Sequence, residues 1–95
     1  MTVAELINLL QQADPSSKVL FLGEYADADE ADEIQEVVIP TSEWTHEEGC
    51  YEGRQYEVRY PGPAAQREVG YTDVKHETER VVLVSTGPTN LRYME

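Results

Sequence analysis

The sequence predicts an α+β fold, with an N-terminal amphipathic helix packed on a small, mainly antiparallel sheet of four or five strands. Two observations support this prediction. The opening residues place apolar side chains at helical spacing, and the rest of the chain alternates short apolar runs with turn residues. The length of 95 residues allows one hydrophobic core, so we expect a single domain over residues 1–95.

The helix is predicted over Thr2–Ala13. Its apolar residues recur at the i, i+3, i+4, i+7 spacing of a buried stripe, at Val3, Leu6, Ile7 and Leu10. Thr2 and Glu5 have the spacing of a capping box, in which each side chain satisfies a free amide at the helix start. Asp14-Pro15 ends the helix because the residue before a proline avoids the helical conformation.

The predicted strands are short apolar or alternating segments bounded by Gly, Pro and Ser, namely Lys18–Leu22, Ile34–Ile39, Gln55–Tyr60, Arg67–Thr72 and Arg80–Ser85. In the third, Tyr56, Val58 and Tyr60 share one face, which is typical of a half-buried antiparallel strand and allows a homodimer by edge-strand pairing. In the fourth, Val69 and Tyr71 are expected to point inward.

Two segments are predicted to lie outside the strands. Glu24–Glu33 is expected to be a loop, in which Asp27 and Glu30 can cap one helical turn. Thr41–Gly49 is expected to be a loop or a short helical turn around Trp44.

The negative charge is concentrated in the middle of the chain. The net charge is −12, and Glu24–Glu52 contains eleven acidic residues and no Lys or Arg. Such a segment repels nucleic-acid phosphates and attracts basic surfaces or cations, so we expect no direct nucleic-acid binding. No apolar run is long enough for a membrane span, and Cys50, the single cysteine, allows no intrachain disulfide.

The opening residues Thr-Val-Ala-Glu-Leu-Ile-Asn-Leu-Leu, followed by Asp-Pro and Lys-Val, resemble the start of small phage and prophage proteins of unknown function. Those proteins begin with a Val-x-Glu-Leu-Ile-x-x-Leu helix, then Asp-Pro, then a strand that often starts with Val. The resemblance covers about the first 22 residues. It implies a cytoplasmic setting in a bacterium or a phage-infected cell. It brings no catalytic motif, so no functional residue is carried over.

Metal binding, to calcium or zinc, and thiol chemistry are the alternatives that the sequence suggests. Asp27, Asp29 and Asp32 start like a calcium loop, but Asp32 and Val38 occupy the places that need Gly and Glu.

His46, Glu47 and Cys50 form a His-Glu-x-x-Cys string in which Cys50 replaces the second histidine of a zinc-protease helix. Cys50 and His76 would make a thiol–imidazole pair only if the fold brought them together. We therefore expect no enzyme, metal site or cofactor.

The leading hypothesis is a non-enzymatic interaction protein that docks on a basic partner surface through segment 24–52. The residues expected to contact the partner are Asp27, Asp29, Glu30, Asp32, Glu33, Glu36, Trp44, Glu47, Glu48 and Tyr51. The aromatic members are typical interface anchors, although Trp44 can equally complete a small core. A sharper version is a nucleic-acid mimic that occupies the site of a DNA-binding protein, such as a host defence nuclease.

Overall fold

The computed structural model describes residues 1–91 and confirms an α+β protein with small antiparallel sheets. The described residues form one α-helix, one 3₁₀ turn and seven strands in three sheets. In chain order these are α1 (Val3–Leu10), β1 (Leu20–Phe21), the 3₁₀ turn (Ala28–Glu30), β2 (Asp32–Glu33), β3 (Glu36–Val38), β4 (Trp44–Tyr51), β5 (Arg54–Pro61), β6 (Tyr71–Glu79) and β7 (Leu83–Ser85).

The chain divides into two compact units. Unit 1 comprises Met1–Val38 and Val82–Thr89, and unit 2 comprises Ile39–Val81 together with Asn90 and Leu91. The last four residues of the predicted domain 1–95 lie outside the described residues. The single-domain organisation stays a prediction.

Helix α1 begins as the sequence predicts. The Thr2 hydroxyl accepts the Glu5 backbone N–H at 3.2 Å, and the Glu5 carboxylate accepts the Thr2 backbone N–H at 3.2 Å, so the capping box is confirmed. The helix ends earlier than predicted. Beyond Leu10 the amides of Gln12 and Ala13 donate to carbonyls three residues back, which tightens the chain out of the α-helix.

The expected burial of the helix is not observed. No residue of α1 is buried, and Leu9 on its apolar side is 55% exposed. No Cα atom of the helix lies within 8 Å of a Cα atom of the strands described in unit 1. The sheets of unit 1 pair strands of only two and three residues, so they offer little apolar surface for a helix to cover.

The strands of unit 1 are shorter than the sequence suggests. β1 pairs with β2, with Leu20 opposite Glu33, and β3 pairs with β7, with Val37 opposite Val84. The capped turn in the acidic connection is confirmed, because the Asp27 backbone N–H donates to the Glu30 carboxylate at 3.3 Å. Strand β2, which follows it, was not predicted.

Unit 2 is built on a three-stranded antiparallel sheet of order β5-β4-β6. The prediction of a loop or helical turn over Thr41–Gly49 is wrong, because most of that segment belongs to the central strand β4. β4 and β5 form a hairpin whose two turn residues, Glu52 and Gly53, both have positive φ. This is the backbone of a type I′ turn, which matches the twist of the flanking strands.

The predicted alternation on β5 is confirmed, and β5 is an edge strand of this sheet. The prediction for Arg67–Thr72 is wrong except at its end. Val69 is fully exposed, and β6 starts only at Tyr71, after Gly70 has turned the chain with a φ of +107°. Within residues 1–91, the structure contains no helix with the length and apolar character needed to cross a membrane.

Candidate functional site

The predicted partner-contact residues divide between the two units. The six that belong to unit 1 are all exposed, and they are Asp27, Asp29, Glu30, Asp32, Glu33 and Glu36. Lys18, the only basic residue in the unit 1 sequence, lies 3.3 Å from Glu33. This pair is largely exposed and contributes little stability.

The four predicted contact residues in unit 2 have different environments. Glu48 is exposed and Tyr51 is 43% exposed, with its ring 4.5 Å from the ring of Tyr71. Trp44 is only 8% exposed and Glu47 is fully buried. The expectation that Trp44 and Glu47 belong to an exposed docking face is therefore wrong, because both are buried, Glu47 on one face of the central strand and Trp44 on the other.

The Glu47 carboxylate is the centre of a hydrogen-bonded cluster on one face of the sheet. Its Oε2 accepts from the Tyr56 hydroxyl at 2.5 Å and from Arg67 Nε at 2.7 Å. Its Oε1 accepts from the Tyr60 hydroxyl at 2.6 Å and from the second Arg67 nitrogen at 3.2 Å, and lies 2.9 Å from His76 Nε2. We call these five residues the Glu47 cluster.

The cluster keeps Glu47 ionised although it is buried. Burial alone would raise the pKa of Glu47, but the hydrogen bonds from Arg67, Tyr56, Tyr60 and His76 outweigh it and lower the pKa to about 2. Burial and the adjacent carboxylate raise the pKa of Tyr56 to about 12. Glu47 therefore stays ionised and Tyr56 stays protonated at neutral pH.

Arg67 lies in the irregular connection between β5 and β6 and holds this connection against the sheet through its contacts with Glu47, Tyr60 and Tyr71. Its guanidinium lies 5.6 Å from the ring centroid of Tyr60 and 5.4 Å from that of Tyr71, within range of cation–π attraction. The Tyr60 hydroxyl also accepts the Ala65 backbone N–H at 3.0 Å. The cluster thus acts as a polar core for unit 2, because its hydrogen bonds saturate the carboxylate and leave no free lone pair for acid–base chemistry.

The candidate residues for zinc binding and thiol chemistry lie on opposite faces of this sheet. Side chains alternate along a strand, so His46, Glu48 and Cys50 share the face opposite Glu47. His76 is hydrogen-bonded to Glu47 and so lies on the Glu47 face. The sheet therefore lies between His76 and Cys50. The thiol–imidazole pair does not form, and the His46-Glu47-Cys50 string does not gather its side chains.

Comparisons of this chain with protein-family models, with curated proteins and with solved structures found no match. The function is therefore inferred from the chain's own residues. The sequence indicates no site role for Tyr56, Tyr60 or Arg67, and it suggests His76 only as a possible partner of Cys50. The alternation of β5 placed Tyr56 and Tyr60 on one face, but only the strand pairing brings them to Glu47.

Proposed function

We propose that this chain is a non-enzymatic interaction protein that docks on a basic protein surface through unit 1. The proposal rests on two properties of unit 1, namely its acidic surface and the lack of buried residues among those described. None of its described residues is buried, and its sequence holds nine carboxylates against one lysine, a net charge of −8.

The apolar side chains of unit 1 supply the attraction for such a partner. On α1 the stripe of Val3, Leu6, Ile7 and Leu10 is between 41% and 54% exposed. Each of these side chains would contribute roughly 1 kcal/mol on burial of its remaining exposed half. A helix with one apolar stripe is the form that commonly docks in a groove of another protein.

The carboxylates decide which partner is favoured. A second copy of unit 1 carries the same net charge of −8, so self-association would bring like charges together. A surface rich in Lys and Arg is steered toward unit 1 over a distance of about one Debye length, roughly 8 Å at physiological salt. Charge complementarity therefore supports a basic partner over a homodimer through unit 1. The nucleic-acid-mimic version, in which that partner binds DNA, stays a prediction.

The test is an affinity pull-down from bacterial lysate with two variants of equal charge change. The first neutralises five acids of unit 1, by Asp27→Asn, Asp29→Asn, Glu30→Gln, Asp32→Asn and Glu33→Gln. The matched control neutralises five exposed acids of unit 2, by Glu43→Gln, Glu48→Gln, Glu52→Gln, Glu68→Gln and Glu77→Gln.

We expect a basic partner that is retained by the wild type and the unit 2 variant but lost by the unit 1 variant. Its binding should also weaken as salt rises, and it should be lost when Leu6 and Leu10 are changed to Gln. Equal retention by all variants, or insensitivity to salt, would overturn the proposal.

A further inference from the structure

A second polar group lies on the face of the unit 2 sheet opposite the Glu47 cluster. It consists of His46 on β4 with Glu48 beside it and Glu57 on β5. One ligand atom from each of these residues lies within 4.8 Å of the other two. This group plays no part in the docking surface proposed for unit 1.

The His46 ring nitrogen is buried without a hydrogen-bond partner. The side chain is 11% exposed, and its Nε2 lies 3.5 Å from Glu48 Oε1 and 3.3 Å from Glu57 Oε2. Neither carboxylate forms a hydrogen bond with this nitrogen. A buried polar atom without a partner is costly, and such atoms in folded proteins call for an explanation such as an ion.

The strand register adds a second cost that a cation would remove. Glu48 lies directly opposite Glu57 in the β4–β5 pair, and like charges at such positions are destabilising. Arg59 Nη1 lies 3.5 Å from Glu57 Oε1, but this pair is largely exposed and offsets only part of the repulsion. A divalent cation between Glu48 and Glu57 would convert this repulsion into two attractions.

The distances suit zinc in particular. Two ligands that each lie at about 2.0–2.1 Å from a tetrahedral Zn²⁺ are separated by roughly 3.3–3.4 Å. The two nitrogen-to-oxygen separations at His46 are 3.3 and 3.5 Å. One imidazole and two carboxylates are also an accepted ligand set for this ion.

A third carboxylate, that of Glu79, lies near the other ring nitrogen of His46. The Glu79 carboxylate lies 3.7 Å from His46 Nδ1 and is itself fixed by Arg59 Nε at 2.6 Å. At 3.7 Å the Glu79–His46 contact is longer than a hydrogen bond and acts only through its charge.

Glu48 and Glu57 also line an open groove of about 480 Å³ that contains Cys50 and Lys75. Because both carboxylates are more than half exposed, a cation can reach them from solvent through this groove. We propose that His46, Glu48 and Glu57 form a zinc-binding site, with a fourth coordination position open to the groove.

The test is a calorimetric titration of the full chain with ZnCl₂ at neutral pH, with NMR detection of the histidine ring nitrogens. We expect one saturable site, a change at His46 Nε2 and little change at His76. His46→Gln and Glu57→Gln should each weaken the affinity at least about tenfold.

The matched control is Asp29→Asn with Glu30→Gln, which alters the exposed acidic group of unit 1 that also includes Asp27. It should leave the affinity unchanged, and circular dichroism should show that every variant retains its fold. Stoichiometric binding that survives His46→Gln would overturn the proposal. So would weak, non-saturable binding shared by all variants, or an unchanged His46 Nε2 resonance at saturating zinc.

Discussion

The two units of this chain differ in which residues they bury. Unit 2 places a fully buried carboxylate on its central strand and surrounds it with donors from β5, β6 and the connection that carries Arg67. Unit 1 has more apolar residues than unit 2, many of them on α1 and β1, yet none of its described residues is buried. The comparison shows that apolar content alone does not create a core, because opposing surfaces must be large enough to cover each other.

The first prediction tests whether the Glu47 cluster holds unit 2 together. Glu47→Gln should lower the free energy of unfolding by about 3–5 kcal/mol. Arg67 would lose its charge partner, and the NH2 group of the new amide would face the donors that now bond to the carboxylate. Denaturant unfolding measures this change. The control is Glu48→Gln on the same strand, where the side chain is exposed and the change should stay within about 0.5 kcal/mol in the absence of metal. Equal losses would show that the cluster is not special.

The second prediction concerns pH. The folded-state pKa of Glu47 is about 2, below its ordinary value of 4.5. Stability from a lowered carboxyl pKa is fully present above the unfolded value and is lost as pH falls through the folded value. The difference in unfolding free energy between wild type and Glu47→Gln should therefore shrink as pH falls from 4.5 to about 2. A difference that stays constant through this window would contradict the assigned pKa.

The third prediction compares the units directly by native-state hydrogen exchange. Backbone amides of α1 should exchange at least about a hundredfold faster than those of β4, relative to their intrinsic rates, because no buried side chain holds the helix. Addition of the basic partner should slow exchange in α1 and leave β4 unchanged. Comparable protection of both elements in the free protein would remove the distinction between the units.

The fourth and smallest effect concerns the close approach of Gly49 to the Glu47 cluster. A Cβ at this position would lie 3.0 Å from the Tyr56 hydroxyl oxygen and 3.2 Å from a carbon of its ring. Because the Tyr56 hydroxyl donates a hydrogen bond to Glu47, the ring can move aside only by weakening that hydrogen bond. Gly49→Ala should therefore lower the free energy of unfolding by about 1–2 kcal/mol. Thermal unfolding measures this. Gly87→Ala, where a Cβ meets no atom within 4 Å, should change stability far less.

The missed strand β4 and the late start of β6 have one physical origin. The central strand β4 reads Trp-Thr-His-Glu-Glu-Gly-Cys-Tyr, and its buried alternate positions include Thr45 and Glu47 instead of apolar residues. A search for alternating apolar residues cannot recognise a strand whose inward side chains are polar. The same applies to β6, where His76 points to the cluster. Only the register of β4 with its two neighbours shows that these polar groups satisfy one another.

The sequence by itself determined the local features, because they depend on neighbouring residues. These are the capping box of Thr2 and Glu5, the Asp27–Glu30 turn, the alternation of β5 and the α+β class. The tertiary structure alone decided which carboxylates are exposed and which is buried, since Glu47 and Glu48 are adjacent in the chain yet lie on opposite faces of the sheet. That outcome depends on partners 9 to 29 residues away, and no local pattern records them.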